Sequence, residues 1–245
     1  MENNFHIIIP ARIGSKRLPN KPMLKIGSQT VISRVYDLAF SVHSLSVTVA
    51  TDSHEILDHI ISNNGKAILT SSDHLSGLDR VNEAVKLLNL KDDEVVVNLQ
   101  GDEPFMPISI ISEIGNMIQK GINISTASIP LKDIEEIKNP NNVKVVTSKS
   151  GRALYFSRST IPENFVKSNY KYQKHLGIYA YDVKTLRELS NLDQALLEKA
   201  ESLEQLRFLE NGYDIYVKYF DNDHPIGIDT QEDLDKANTY IQNKS

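Results

Sequence analysis

Arg12, Lys16, Arg17 and Lys21 place four cations within ten residues. They stand in PARIGSKRLPNKP (Pro10–Pro22), directly after the apolar run Phe5–Ile9. A short buried strand that opens into a basic, small-residue loop lets backbone N–H groups and cations converge on anionic oxygens. The segment therefore reads as a cradle for a polyphosphate, such as a nucleoside triphosphate. Charge runs are usually solvated faces. Here Arg12, Ser15, Arg17 and Lys21 alternate with prolines that stiffen the loop and fix where the cations point. Neither a Walker A loop nor a GxGxxG turn occurs in the chain.

Two carboxylates suit the same anion. Asp102, in NLQGDEP, follows the apolar run Val95–Leu99. Gly101 permits a tight turn, and a hard carboxylate at a strand end is a natural Mg²⁺ ligand. Gly-Asp is also a common turn pair. Asp229, in PIGIDT, precedes the last helix; taken alone it reads as part of a cap, and paired with Asp102 across a cleft it reads as a second metal ligand. The loop Asp73–Arg80 (DHLSGLDR) ends at a helix start. It could hold a base or ribose through backbone groups and Ser76, or simply cap the helix. Arg158 is a candidate carboxylate binder, because guanidinium pairs bidentately with carboxylate. His175 and Tyr179 fall on a predicted strand, where an isolated His is ordinarily structural. His54-Glu55-Ile56-Leu57-Asp58-His59 only mimics a zinc helix: its histidines are five apart rather than four, and they read as surface residues.

The elements that must position these residues alternate. Phe5–Ile9, Ser46–Ala50, Lys66–Thr70 and Val95–Leu99 read as short buried strands. Thr30–Val42, Ser53–Ser62 and Asp79–Leu88 have helical spacing between them. This is the βαβ pattern of an α/β fold: a mostly parallel, doubly wound sheet with helices on both faces, whose ligands sit at the carboxyl ends of the strands. In the second half, Ile124–Ile129, Asn142–Val146, Ala153–Phe156, His175–Tyr181 and Asp214–Val217 read as strands. Ala195–Glu210 reads as one helix with Leu196, Ala200, Leu203 and Leu206 facing the core, and Thr230–Gln242 as a final helix capped by Thr230. Asn164–Lys174 is polar and Tyr-rich and reads as a mobile loop. No linker divides the chain, so residues 1–245 are expected to form one domain.

Lys plus Arg number 27 and Asp plus Glu 32, a formal net charge of −5. That balance argues against nucleic-acid or membrane-surface binding. Cys is absent, which excludes disulfides and thiolate chemistry. The apolar start is too short for a signal core or a membrane span, so a cytoplasmic protein is expected.

Together these segments resemble the 3-deoxy-manno-octulosonate cytidylyltransferase (CMP-Kdo synthetase) family, from Ile7 to about Ala237. The resemblance rests on PARIGSKRLPNKP, VATDS (Val49–Ser53), DHLSGLDR, VNLQGDEP (Val97–Pro104), ALYFSRSTIP (Ala153–Pro162), KHLGIYAY (Lys174–Tyr181), LEQLRFLENG (Leu203–Gly212) and GIDTQEDL (Gly227–Leu234), in that order. It implies a nucleotidyltransferase fold with a smaller sugar-binding and dimer lobe, residues 1–122 being mainly nucleotide-binding and 123–245 mainly sugar-binding and dimer-contacting. It also implies Mg²⁺-dependent transfer of CMP from CTP to 3-deoxy-D-manno-octulosonate (Kdo), for lipopolysaccharide biosynthesis, in a homodimer. By the family pattern Arg12, Ser15, Arg17 and Lys21 hold the CTP phosphates. Asp73, Ser76, Gly77, Arg80 and Gln100 enclose the nucleotide, with Gln100 also reaching the sugar. Asp102 and Asp229 hold Mg²⁺, and Arg158, His175, Tyr179, Glu204 and Gln205 line the sugar site. Asp102, Asp229, Lys21 and Arg17 are the implied catalytic set, acting on a direct in-line attack with no covalent intermediate. The nearest alternatives are a cytidylyltransferase for another acidic sugar, such as 8-amino-Kdo or a sialic acid, and a catalytically silent nucleotide-binding protein on the same fold. Two positions depart from the family pattern. Leu78 stands where Thr is usual, which removes a hydroxyl expected at the nucleotide, and Asn20 stands where Gly is frequent, which Asn tolerates through left-handed backbone geometry.

Overall fold

The structure is a computed structural model that describes residues 3–14, 18–74, 76–118, 121–221 and 225–243. Its first half follows the expected alternation: β1 (Asn3–Ala11), the small hairpin β2 (Lys25–Ile26) and β3 (Gln29–Thr30), α1 (Val31–Phe40), β4 (Ser44–Thr51), α2 (His54–Ser62), β5 (Ala67–Leu69), α3 (Gly77–Leu87) and β6 (Val95–Asn98). Three helices start where short oxygen-bearing side chains close free N–H groups: Thr30 caps α1, Ser53 caps α2, and Ser76 forms a capping box with Asp79 on α3.

The rest comprises α4 (Ile108–Ile118), β7 (Ile124–Leu131), α5 (Ile134–Lys138), β8 (Lys144–Thr147), β9 (Ala153–Ser157), β10 (Tyr172–Asp182), α6 (Val183–Ser190), α7 (Leu196–Glu201), α8 (Gln205–Glu210), β11 (Tyr216–Tyr219) and α9 (Gln231–Gln242). The main sheet runs β11-β7-β10-β6-β1-β4-β5, and β8 and β9 extend from β10 as an antiparallel ribbon. β6, β1, β4 and β5 are mutually parallel, β7 and β11 point the same way, and β10 alone on that path is reversed. The mostly parallel expectation therefore holds, with β10 as the seam between the halves.

Alternating side chains of the central strands feed two cores. Phe5, Ile7, Ile9, Val49 and Val97 face α1, α2 and α4. Ile8, Ala50 and Val96 face α3, α6 and α8. A third cluster joins Leu18, Ile26 and Val31 to Ile228, Leu234 and Ala237, so α9 closes on the hairpin β2–β3.

Three expectations are corrected. Ala195–Glu210 is two helices, because Ser202 adopts a left-handed conformation (φ 51°, ψ 50°) between α7 and α8. The break folds Arg207 back onto Glu198, with Nε and Nη2 donating to the carboxylate at 2.9 and 2.7 Å. On a continuous helix, residues nine apart would point to opposite faces, on the order of 13 Å apart along the axis. Leu196 is correspondingly exposed rather than in the core. Second, β10 begins at Tyr172, which shortens the expected loop Asn164–Lys174. Third, His59 is no free surface group: its Nε2 lies 2.9 Å from both Thr30 Oγ1 and Ser33 Oγ, tying α2 to the start of α1.

Candidate active site

After β1 the chain leaves the sheet through Arg12–Gly14; Ser15, Lys16 and Arg17 lie outside the described residues. Asn20 is left-handed (φ 54°, ψ 24°), as expected of an Asn there, and turns the chain into a short 3₁₀ segment at Lys21–Met23 with Pro22 buried. That turn aims Lys21 inward. Its Nζ donates to Asp102 Oδ2 at 2.5 Å and to Asp229 Oδ1 at 3.1 Å. Burial pulls the Lys21 ammonium's pKa down, but Asp102 and Asp229 outweigh it and hold it above the usual lysine value.

Two backbone features bring the carboxylates together. Gly101 passes so close to β1 that a Cβ there would lie 2.9 Å from the Pro10 carbonyl oxygen, which restricts the position to glycine. Ile228 N–H donates to the Asp102 carbonyl at 2.8 Å, pinning the Asp229 segment beside the end of β6. The cap of α9 belongs to Thr230 and Asp233, whose Oδ2 accepts from the backbone N–H groups of Asp229 and Thr230. Asp229 is thus not the cap; its carboxylate faces Lys21.

These groups border a cleft of about 410 Å³ at the carboxyl ends of the parallel strands. Arg12 and Gly14 line one side; His74, Ser76, Gly77 and Arg80 line another; Gln100, Gly101, Asp102 and Asp229 form the floor with Lys21. A larger hollow, about 630 Å³, opens at the amino ends of the same strands, beside Asn4, Leu45 and Asp92–Val95. Ligands of doubly wound sheets bind at the carboxyl ends, so the smaller cleft is the candidate site.

The wall residues are not equally free. Ser76 Oγ donates to Asp79 Oδ2 at 2.9 Å within the helix cap. Arg80 is buried, with Nη2 on Asp52 Oδ2 at 2.8 Å and Nη1 on Thr70 Oγ1 at 2.6 Å, so it clamps the ends of β4 and β5 while bordering the cleft. Asp73 is exposed and does not line the cleft; His74 does, braced by Glu83. Leu78 is fully buried against Ile8, Ala50 and Val81. Its side chain packs in the core, so the hydroxyl expected to be missing from the nucleotide contacts is missing from the interior instead.

None of the residues expected at the sugar site in the second half lines that cleft: His175, Tyr179 and Gln205 are buried, while Arg158 and Glu204 are partly exposed. β10 pairs Tyr179 with Asn98 on one side and Thr126 on the other, which places Tyr179 at the carboxyl end of β6. His175 is buried, its Nε2 3.1 Å from Thr126 Oγ1 and its ring edge-on to Phe156. Burial lowers its pKa to about 3, so the ring is neutral. The Tyr179 hydroxyl and Glu204 Oε1 are buried atoms without a hydrogen-bond partner. Burial raises the Glu204 pKa, partly offset by Ser76 and Arg207. Gln205, next to it, is buried as well. Arg158 is committed rather than free: Nε donates to Glu201 O, Nη1 to Pro140 O and Nη2 to Ser202 O.

Sequence reading passed over several partners. Glu103 packs its carboxylate against Gly227, where a Cβ would lie 2.9 Å from Oε1. Burial, then repulsion from Asp102, raises its pKa to about 8 against the pull of Lys174 and Lys21. Lys144, fully buried, donates to the carbonyls of Asn139, Asn142 and Arg158 at 3.0, 2.6 and 2.6 Å. The one available signal was a lysine inside the apolar alternation Val143–Val146.

The profile of the family described as Cytidylyltransferase matches residues 6–215. This chain belongs to the cytidylyltransferase family. A 3-deoxy-manno-octulosonate cytidylyltransferase of Francisella tularensis subsp. novicida is 43% identical over 242 residues, covering 96% of this chain and 97% of the relative. One from Polynucleobacter necessarius is 44% identical over 241 residues, covering 96% and 94%. A solved structure of CMP:2-keto-3-deoxy-manno-octonic acid synthetase complexed with CTP superposes with a TM-score of 0.92 at 35% identity, covering 98% of this chain and all of that one. The cytidylyltransferase thus matches its relatives across both halves of the sheet.

Proposed function

We propose that this cytidylyltransferase transfers CMP from CTP to Kdo, releasing pyrophosphate, with Mg²⁺ held by Asp102 and Asp229. The relatives support the substrates. The observation that carries the site is the convergence of two carboxylates from distant segments on one ammonium beside a basic loop. The donor set fits Mg²⁺, which favours hard oxygen ligands and is commonly held by one or two carboxylates, with phosphates and waters completing its shell. Among the described residues, no cluster of three or more His, Cys, Asp or Glu could hold a metal by itself, in keeping with such a shared shell.

The reaction is an in-line displacement. The sugar's anomeric oxygen bonds to the α-phosphorus as the bond from that phosphorus to the bridging oxygen breaks, and the hydroxyl proton is lost. Bound Mg²⁺ supplies Lewis-acid charge neutralisation and lowers the hydroxyl's pKa. Lys21 and Arg12 hold the phosphates in line, a role we extend to Ser15 and Arg17. Gln100 and the backbone at Gly77 border the nucleotide. Tyr179 and Glu204 meet the sugar; the Tyr179 hydroxyl and Glu204 Oε1 make no hydrogen bond within the fold, although Arg207 Nη2 stands 3.5 Å from the latter, and such oxygens suit a polyhydroxylated ligand. His175, Gln205 and Arg158 complete that wall, Arg158 by holding the turn that presents Glu204. Catalysis is therefore mainly positioning and preorganised charge.

We place the chain in lipopolysaccharide assembly, in the cytoplasm, as a single domain that forms a homodimer; sedimentation at working concentration checks the last. Among the described residues no helix is long and apolar enough to cross a membrane. Pyrophosphate release from CTP, assayed with Kdo, 8-amino-Kdo and a sialic acid, tests the reading. Kdo should be the preferred acceptor, and turnover without added divalent metal would overturn the role of Mg²⁺. Asp102→Ala should lower kcat at least ~10²-fold, the scale of losing one preorganised electrostatic group, with little change in CTP affinity.

A further inference from the structure

Lys21 is 12% exposed, whereas Asp102 and Asp229 are 33% and 48% exposed. The ammonium donates to one oxygen of each carboxylate, so it already occupies the space between the two groups that a shared divalent cation would take. An ammonium and a divalent ion beside the same two carboxylates repel each other in a partly desolvated site. Formal charges sharpen the point. Lys21 with the two aspartates sums to −1, and adding a divalent ion beside them makes the group +1, an excess of positive charge that the anionic oxygens of a triphosphate would offset. The backbone around Lys21 is fixed by the left-handed Asn20 and by buried Pro22, while the flexible four-carbon stem is free to rotate. Arg12 and Gly14 border the space into which it can turn.

We propose that Lys21 competes with divalent metal for Asp102 and Asp229, so that metal and triphosphate bind cooperatively: Lys21 leaves the carboxylates when phosphate oxygens offer it another anion. This rests on the metal role proposed above for the two aspartates. Lys21 is then the residue that makes metal occupancy conditional on nucleotide, in addition to holding phosphate.

Mn²⁺ binding to the protein alone, without nucleotide, tests this through the electron paramagnetic resonance signal of free Mn²⁺. Lys21→Met should bind Mn²⁺ at least ~10-fold more tightly than wild type, the lower end of what one adjacent opposite charge does to a carboxylate's proton affinity. Lys21→Arg keeps the cation and should bind as weakly as wild type. Equal or weaker binding by Lys21→Met overturns the competition. If Lys21→Met is unstable, Mn²⁺ should raise its Tm more than it raises that of wild type; the absence of that difference also overturns it. Adding Asp102→Asn to Lys21→Met should abolish the tight binding. If tight binding survives, the assignment of Asp102 as a ligand fails. If Asp102→Asn abolishes Mn²⁺ binding while Lys21→Met leaves it unimproved, the ligand assignment stands and the competition alone is lost.

Discussion

The two halves of the sheet build their parts of the site differently. In the parallel half, β1 and β6 end and α3 begins at the cleft, and most of the groups that meet it stand on short loops between buried elements. In the second half the residues proposed for the sugar side, His175, Tyr179 and Gln205, do not line the cleft and are buried side chains on β10 and α8. Loops can carry chemistry without carrying the core. Side chains that do both tie recognition to stability, so substitutions in the two halves should fail in different ways.

The largest expected effect is on turnover in the parallel half. Asp229→Asn removes one carboxylate charge from an exposed position and should lower kcat at least ~10²-fold while leaving the urea midpoint nearly unchanged. A large loss of stability would erase the contrast between the halves. Next is Lys144→Met, which removes the shared donor of three partly exposed carbonyls. Water can reach some of them, so urea unfolding should show a loss of about 1–3 kcal/mol. Where the variant remains folded, KM for the sugar should rise more than KM for CTP.

A pH effect sharpens the same point. His175 has its pKa lowered to about 3, against an unfolded value of 6.5. Between those values the unfolded chain binds the extra proton, so stability present above pH 6.5 is lost as pH falls, at about 1.4 kcal/mol per unit from this group. Urea midpoints measured from pH 7 to pH 5 should fall less steeply in His175→Gln. The smallest effect expected is that of Leu78→Thr. It puts a hydroxyl into an apolar core and should cost about 1–3 kcal/mol with no gain in CTP affinity. Tighter CTP binding would show that position 78 reaches the nucleotide after all.

Legibility divides along the same line. β1, β4, β5 and β6 could be read because each is a short, largely apolar run and each loop carries its charges in sequence, whereas the hairpin strands β2 and β3, two residues each, are too short to leave a pattern. Asp102 and Asp229 could be read as candidates, but the Lys21 bridge between them could not, since it depends on the turn at Asn20 and on the Ile228–Asp102 backbone bond. In the second half, Ala195–Glu210 keeps helical spacing across a real break, and the Glu198–Arg207 pair that rewards the break is invisible to periodicity. Arg158 reads as a free cation by type, yet three carbonyls claim it. Lys144 and Glu103 look like surface residues by type, and only folding encloses them.

The packing of α9 has a consequence for how the molecule is made. Ile228, Leu234 and Ala237 cover Leu18, Ile26 and Val31, and Asn238 accepts a hydrogen bond from Gly27. The loop after β1 therefore lacks its outer wall, and Lys21 its second carboxylate, until Asp229 and α9 have been made. Synthesis thus completes an early loop only after a segment some two hundred residues later, and removing α9 should damage the β2–β3 region before it disturbs the middle of the sheet.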